Sequence, residues 1–505
     1  MTISNSEAAL PRQPGSFGFA AGVFLASLLW LWLCGRVLDY VADDALILFR
    51  HVANHAAGLG MVWDRWHPVQ AHSSVLWAYA LRLLLGLGIG IEPAARMLGI
   101  LAGAGCAATV AVLVRGAVGT GPALLLAAVA ATFPPLALWS SAGLETAPAA
   151  ALALLCMLAI ERAGSGRWTG LAALLLFGSP FVRPDLPLQL LCGLALLAVT
   201  TPQARRLVWR LALAAVLGMA AYVALNHLRY GTSVALPVAT KLRIEPRNVL
   251  RFARYGLVFA PQLALLWALL IPSLIRRRRR LRPLAIFAIG VALGALAELA
   301  LLGGDELARG RFLCLPFLAT LPALASVLGP RSGRRLWLLL CTALLALQVP
   351  WALHHEGDQP CSKWREAAGR WLNEHTQPTF TIAVAPAGFI PFYAERDTID
   401  LMGLAHAQIS RLPEPRGSEA WGRHATELAM AEGVCGVILA ICDSPAEDPR
   451  RECANPTLRG IVAALATSPD YVFLRSSEGL GGGNALRLAV RRRCLSEGRI
   501  WGLVP

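Results

Sequence analysis

The sequence predicts a polytopic α-helical membrane protein of about 11 transmembrane helices, followed by a water-soluble α/β domain. Three observations predict it. Hydrophobic residues make up 56% of the 505 and charged residues only 15%, against roughly 25% charged in soluble domains. Long apolar runs such as Phe17–Leu33, Leu211–Leu225 and Leu336–Leu347 recur through the first part of the chain; a spanning helix needs about 20 mostly apolar residues. Beyond residue 352 the pattern changes to short, β-prone apolar runs between turns. The domains expected are therefore 1–352 in the membrane and 353–505 outside it.

The net charge of +15 would suggest nucleic acid in a soluble protein. Here the Arg clusters sit between apolar runs, so they report orientation, and no nucleic-acid partner is expected. Arg276–Arg280 with Arg282 is the strongest such cluster and is expected on the cytoplasmic side, with Arg162–Arg167, Arg205-Arg206 and Arg331–Arg335. By alternation, 39–72, 140–146, 227–254, 303–311 and the C-terminal domain lie on the opposite, periplasmic side of a bacterial inner membrane. Phe17–Leu33 is long for a signal-peptide core and is expected to remain as the first span. Three apolar stretches, near 73–91, 97–114 and 121–138, separate two loops of the same side, which allows only an even number of crossings. Pro134-Pro135 breaks any helix there, making 121–138 the candidate irregular stretch.

In the C-terminal domain, Thr379–Ala385, Val434–Ile441, Tyr471–Leu474 and Ala485–Val490 read as strands. Five of the eleven cysteines lie here. A periplasmic setting permits disulfides, and Cys442 with Cys453, flanking Asp443–Glu452, is the pair expected.

The chemistry-bearing residues gather in the periplasmic loops. Asp43 and Asp44 stand just beyond the first helix, followed by Arg50 and an ordered polar and aromatic loop through Trp63 to His72-Ser73-Ser74. Adjacent carboxylates at a membrane surface often do no more than favour a helix N-terminus. Further along come Glu145, then Arg183 and Asp185, Lys241, and Asp305 with Arg309 and Arg311. Taken singly, each resembles a cap or a snorkelling side chain. Gathered on one side, they form a set in which cations can hold a lipid phosphate and a carboxylate can take a proton from a hydroxyl.

The run from Asp43-Asp44 through Arg50, Gly58-Leu59-Gly60 and Trp63 to His72-Ser73-Ser74-Val75-Leu76-Trp77 resembles the first outer loop of GT-C glycosyltransferases. It is most similar to the mycobacterial terminal arabinofuranosyltransferases and their proteobacterial relatives. Ser141–Thr146, Arg183-Pro184-Asp185, Tyr230-Gly231 through Lys241, Gly303-Gly304-Asp305 with Arg309–Phe312, Ala387-Gly388 and Asp400–Leu404 resemble later blocks of that family in the same order. The sequence departs from the family at Leu46, His72-Ser73, Val238 and Pro386.

The resemblance implies a GT-C fold and inverting transfer of a sugar, arabinofuranose in the family, from a polyprenyl-phosphate donor to an envelope glycan or glycoprotein. It implies Asp43 as general base and Asp44 as its orienting partner. Arg309, Arg311, Lys241 and Arg183 would meet the donor phosphate. Arg50, His72, Glu145, Asp185 and Asp305 would line the cavity. The Asp pair could also hold a divalent cation through oxygen ligands; no cofactor follows from the sequence. A lipid-linked-sugar transporter or a non-catalytic assembly factor is the alternative. Clustering of the polar groups at one face, and no visible internal repeat, favour the enzyme.

Overall fold

The computed structural model describes residues 16–65, 68–163, 166–241, 248–257, 260–277, 281–304, 309–329, 333–348, 359–439, 455–480 and 484–504. Helices fill the first part in the order α1 (Ser16–Leu38), α2 (Asp43–Ala56), α3 (Val75–Gly86), α4 (Ile91–Val118), α5 (Thr120–Thr132), α6 (Pro134–Trp139), α7 (Thr146–Glu161) and α8 (Gly166–Val182). They continue as α9 (Leu186–Thr200), α10 (Arg205–Tyr230), α11 (Leu236–Lys241), α12 (Asn248–Leu257), α13 (Ala260–Arg277), α14 (Pro283–Leu302), α15 (Cys314–Leu328) and α16 (Gly333–Ala346).

Among the described residues five segments are long and apolar enough to cross a membrane: Phe17–Leu38, Ile91–Val118, Pro202–Tyr230, Pro283–Leu302 and Arg311–Leu328. Other apolar stretches form shorter helices, and proline explains one of them. The chain breaks at Phe133, before Pro134-Pro135, and splits the 121–138 stretch into α5 and α6. Phe133 then stacks on Phe317 of α15 with ring centroids 3.8 Å apart. The helices divide by what they face. α15 is the most enclosed of the long helices, whereas α1 and α10 leave Leu25, Leu29, Trp30, Trp209 and Leu217 exposed. Apolar surface on that scale is disfavoured in water and suits lipid.

The C-terminal part is a six-stranded sheet of order β2-β1-β3-β5-β4-β6. It consists of β1 (Ile382–Val384), β2 (Thr398–Asp400), β3 (Gly436–Ile438), β4 (Tyr471–Leu480), β5 (Asn484–Arg491) and β6 (Leu503–Val504), with β2-β1-β3 parallel and the remaining pairs antiparallel. Helices α17 (Gln359–His375), α18 (Phe389–Ala394), α19 (Glu419–Ala431), α20 (Pro456–Ala466) and α21 (Arg492–Ser496) accompany it. Side chains alternate along a strand. Ile382 and Val384 accordingly pack with Trp364, Trp371 and Leu372 of α17, while Ala383 packs with Trp421 of α19 and Ile461 of α20 on the other face. All four strands expected from sequence are present, β1 and β3 within the stretches named and β4 and β5 extending beyond them; β2 and β6, three and two residues long, were too short to announce themselves.

The described part holds a disulfide that the sequence reading did not name. Cys435 is bonded to Cys494, closing the sheet against α21. The expected partners Cys442 and Cys453 lie outside the described residues, as do Arg278–Arg280.

Candidate functional site

Helix α2 lies between the two parts of the molecule, and its spacing decides what each residue meets. Residues 43, 47 and 50 share one face, and that face meets the C-terminal part. Both oxygens of Asp43 are held there: Gly388 N–H donates to Oδ2 at 2.9 Å and Phe389 N–H to Oδ1 at 3.2 Å. The Arg365 guanidinium of α17 stands 3.6 Å from Oδ1. Only glycine allows this approach, because a Cβ on residue 388 would collide with the Asp43 carbonyl and carboxyl carbon. Ile47 packs on Ala387, Leu404 and Ala405. The loop carrying those last two is shaped by Asp400, whose carboxylate accepts N–H bonds from Met402, Leu404 and Ala405 at 2.8, 2.6 and 2.8 Å.

Arg50 completes the face. Its guanidinium donates to the carbonyls of Trp63 (2.9 Å), Pro391 (2.7 Å) and Arg396 (2.6 Å) and to Thr398 Oγ1 (3.2 Å), and it lies over the Trp63 ring. Burial lowers its pKa to about 10, against Asp64, Asp397 and Glu395, so it stays charged at neutral pH. Burial likewise raises the Asp43 pKa; Arg365 and the two N–H bonds oppose that, and Asp44 adds to it.

The other faces of α2 meet the helices. Ala45 and Phe49 press on Gly143, which has φ 92° and no room for a Cβ. The Ala42 N–H donates to the Ala142 carbonyl at 3.0 Å. These bonds seat the Ser141–Thr146 block against the start of α2 and leave Glu145 accepting from Ser73 Oγ at 3.3 Å. Asp44 turns toward Arg311, with Oδ2 3.9 Å from Nη1.

Arg311 belongs to a set of guanidinium groups on aromatic faces. Its Cζ lies 4.9 Å from the Phe312 ring centre and 5.4 Å from that of Trp139. Arg309 lies 4.2 Å over Tyr40, Tyr40 meets Trp139 edge-on, and Trp139 Nε1 donates to the Arg309 carbonyl at 3.0 Å. Arg183 lies 4.8 Å from Phe312. Such stacking holds the plane of a guanidinium against an aromatic face.

The sequence-named residues fall into three groups. Asp43, Asp44, Arg309 and Arg311 converge around the start of α2. Arg183 is within electrostatic reach of Glu145, but its fork is engaged by Asp185, at 3.0 and 2.6 Å. That pairing reduces what Arg183 can offer a phosphate. Arg50 and His72 do not face this cluster. Arg50 is locked into the C-terminal part, and His72 is buried edge-on against His51 at 4.8 Å. Burial holds both imidazoles below the usual range, His51 at about 4, so both are neutral. Asp305 lies outside the described residues, and Lys241 is described only as the end of α11. Among the described residues no three His, Cys, Asp or Glu side chains gather as a metal site.

Two residues of this region were not singled out from sequence. Glu298 shares Gln189 Nε2 with Asp185, at 2.7 and 3.3 Å. Its signal was available, as the lone acid within the apolar α14. Arg365 carried none, being one of several charges on an amphipathic helix.

A family model described as a domain of unknown function (DUF8728) matches residues 355–488. No curated protein matches the chain in sequence. Solved structures do match in fold. ArnT from Cupriavidus metallidurans in the apo state superposes with TM-score 0.57 at 12% identity, covering 94% of this chain and 98% of that one. The same protein bound to undecaprenyl phosphate gives TM-score 0.53 at 13% identity, covering 84% and 96%. The oligosaccharyltransferase AglB from Archaeoglobus fulgidus, in complex with an inhibitory peptide and a dolichol-phosphate, gives 0.52 at 12%, covering 92% of this chain and 74% of that one. These neighbours are GT-C superfamily members, and the likeness is one of fold.

Proposed function

We propose that this chain is a membrane glycosyltransferase that moves a sugar from a polyprenyl-phosphate donor to a hydroxyl of an envelope glycan or glycoprotein, at the periplasmic face of a bacterial inner membrane. The observation that carries the proposal is the division of labour at the start of α2. Two adjacent carboxylates point different ways, one held by the C-terminal part and the other beside Arg311. The neighbours' ligands, undecaprenyl phosphate for ArnT and dolichol-phosphate for AglB, support the donor class.

The chemistry then follows from the groups present. Asp43 takes the acceptor hydroxyl proton as that oxygen attacks the anomeric carbon. Its two N–H bonds occupy one lone pair on each oxygen, leaving others for the acceptor. Burial raises its basicity in the direction a general base needs. The anomeric carbon–oxygen bond breaks, and its electron pair leaves with the lipid phosphate. Arg309 and Arg311 offset the growing phosphate charge, and Lys241 completes the set. Asp44 fixes Arg311. Phosphate departs without protonation, so a single catalytic carboxylate suffices, and attack from the face opposite the phosphate inverts the anomeric centre. The arabinofuranosyl family resemblance makes arabinofuranose the first sugar to assay.

The test is transfer from synthetic undecaprenyl-phosphate sugars by detergent-purified protein. Asp43→Asn keeps size and one of the two backbone N–H bonds but removes basicity, so turnover should fall roughly 10²–10⁴-fold while donor binding persists. Near-normal turnover with Asp44→Asn inactive would exchange the two roles. Near-normal turnover by both would take this loop out of the chemistry and restore the transporter or assembly-factor readings.

A further inference from the structure

Away from the Asp pair, a second group of cations gathers at the other end of α2. His55 stands in the last turn of that helix, roughly 18 Å along it from Asp43 at 1.5 Å per residue. Arg82 of α3 donates from Nε to His55 Nδ1 at 3.3 Å. The Tyr79 ring, one turn earlier on α3, meets His55 edge-on with ring centroids 5.8 Å apart. Arg229, in the last turn of α10, lies over the same ring at 5.5 Å from its centre and donates from Nη1 to the Tyr79 hydroxyl. Tyr230 fixes that end of α10 by donating to the Met61 carbonyl at 2.7 Å. Arg229 is exposed and Arg82 partly so. Among the described residues no other hydrogen bond or ion pair engages either guanidinium, and no carboxylate meets them.

The helix that carries Tyr79 and Arg82 starts and ends on one side of the molecule. Near its start, Trp77 Nε1 donates to the Gly143 carbonyl at 3.0 Å. Past its end the chain turns directly into α4, whose Arg96 pairs with Asp39 at 2.9 Å. Asp39 and Gly143 belong to the two segments beside the Asp pair, joined to each other by the bond from Ala42 N–H to the Ala142 carbonyl. At 12 residues, α3 is about 18 Å long, short of the roughly 30 Å of a hydrocarbon core. The 73–91 stretch, rather than 121–138, therefore returns to the side it left. Leu76, Leu83 and Leu87 share one face and are each more than half exposed, whereas Trp77, Ala78 and Leu81 are buried on the other. Tyr79 and Arg82 border the leucine face. Leu228, beside Arg229 on α10, is exposed as well. An apolar helix face bordered by cations suits a bilayer surface, with leucines among the acyl chains and guanidiniums at the headgroups.

We infer that Arg82 and Arg229, spaced by Tyr79, hold the phosphate of an anionic phospholipid in the leaflet on the Asp43 side. Guanidinium N–H groups match phosphate oxygens. Two cations without a carboxylate favour a headgroup of net negative charge over a zwitterionic one, whose ammonium they repel. The exposed leucines favour a lipid over a free phosphate, because acyl chains cover apolar surface that a small anion leaves in water. The site is distinct from the Arg309–Arg311 group, which stands at the far end of α2. A lipid seated there braces the His55 end of α2 against the membrane. The inference needs a membrane-embedded fold and is independent of the transferase reading.

The experiment places the full-length protein in nanodiscs of phosphatidylcholine with increasing phosphatidylglycerol. It reads the lipids retained, by native mass spectrometry, and the unfolding temperature. Wild type is compared with Arg82→Gln, Arg229→Gln, the double variant and Arg82→Lys. Wild type should retain phosphatidylglycerol over phosphatidylcholine, and its unfolding temperature should rise with the anionic fraction. Each Gln variant should lower that preference about fivefold, and the double variant should abolish it. Arg82→Lys should keep most of it, since the charge remains. Retention of undecaprenyl phosphate should be unchanged throughout. The preference is a ratio within one preparation, so a less stable variant still reports it. Equal phosphatidylglycerol preference in wild type and the double variant overturns the inference. So does full competition by soluble glycerol phosphate, which would make this a site for a free phosphate. Loss of undecaprenyl phosphate in place of phosphatidylglycerol overturns it too, by assigning these cations to the donor. No arm reads sugar transfer, so failure of the transferase reading leaves the outcome intact.

Discussion

The Arg50 end of α2 and the Asp43–Asp44 end are two helical turns apart, yet their polar groups are held in different ways. Arg50 is met by three backbone carbonyls and a hydroxyl at 2.6–3.2 Å and is closed off from solvent. Asp43 is held by two N–H bonds at 2.9 and 3.2 Å with Arg365 at 3.6 Å, and Asp44 stands 3.9 Å from Arg311; about a fifth of the Asp43 side chain and a quarter of the Asp44 side chain stay exposed. A saturated, closed-off charge fixes a geometry; a charge that keeps an exposed edge leaves room for a reactant. On the proposed reading, the same helix fastens two parts of the chain at one end and presents groups for chemistry at the other.

Substitutions at the two ends should separate along that line. Arg50→Ala strands several buried carbonyls at roughly 1–3 kcal/mol each, so a loss of about 3 kcal/mol or more is expected. It should appear as a lowered unfolding temperature and as greater protease sensitivity of the chain. An unchanged unfolding temperature would show that the clamp carries no stability. Gly388→Ala tests the junction from the other side. The C-terminal part should keep its sheet by circular dichroism, while the collision with Asp43 lowers transfer activity by one to two orders of magnitude, on the order of 1.4–2.8 kcal/mol.

At the open end, Arg311→Lys keeps the charge but loses the planar fork and the ring stacking. Donor affinity should fall on the order of tenfold, with little change in unfolding temperature. Equal donor affinity for Arg311→Lys and wild type would move the phosphate to Lys241. Arg365→Gln should be subtler and diagnostic. Asp43 must be ionised to act as base; burial places its pKa above the ordinary carboxylate range, and Arg365 pulls it down. Removing Arg365 should move the acidic limb of the kcat/KM–pH profile to higher pH, leaving the plateau nearly intact. A limb that stays put would mean that another group titrates.

The smallest expected effect is on stability in mild acid. His51 titrates at about 4 in the folded state against 6.5 when exposed, and His72 shifts in the same direction. Between those values the unfolded chain binds more protons, so stability falls as pH drops from about 6.5 toward 4. His51→Gln should flatten that dependence in a thermal-unfolding series; an equally steep series would assign the acid sensitivity elsewhere.

Much of this was readable in the sequence because it depends on composition and local spacing. Apolar runs about as long as a bilayer is thick, the break at Pro134-Pro135 and the β-prone runs of β4 and β5 follow from short-range rules that any neighbourhood obeys. So does the start of a helix at Asp43. Arg309 and Arg311 could be named beside Asp44 because they lie within one short segment that resembles a family block. Tertiary structure alone decided which carboxylate of the Asp pair faces which partner. Adjacent helical residues point about 100° apart, and only the docking of Gly388 and Arg365 from more than 300 residues away assigns the two directions. It also decided that Arg183 is spoken for by Asp185 and that Cys435 pairs with Cys494. Each of these is a distance between segments that no local pattern encodes. A single amide in an apolar helix looks the same in sequence whether it faces a neighbour or a ligand.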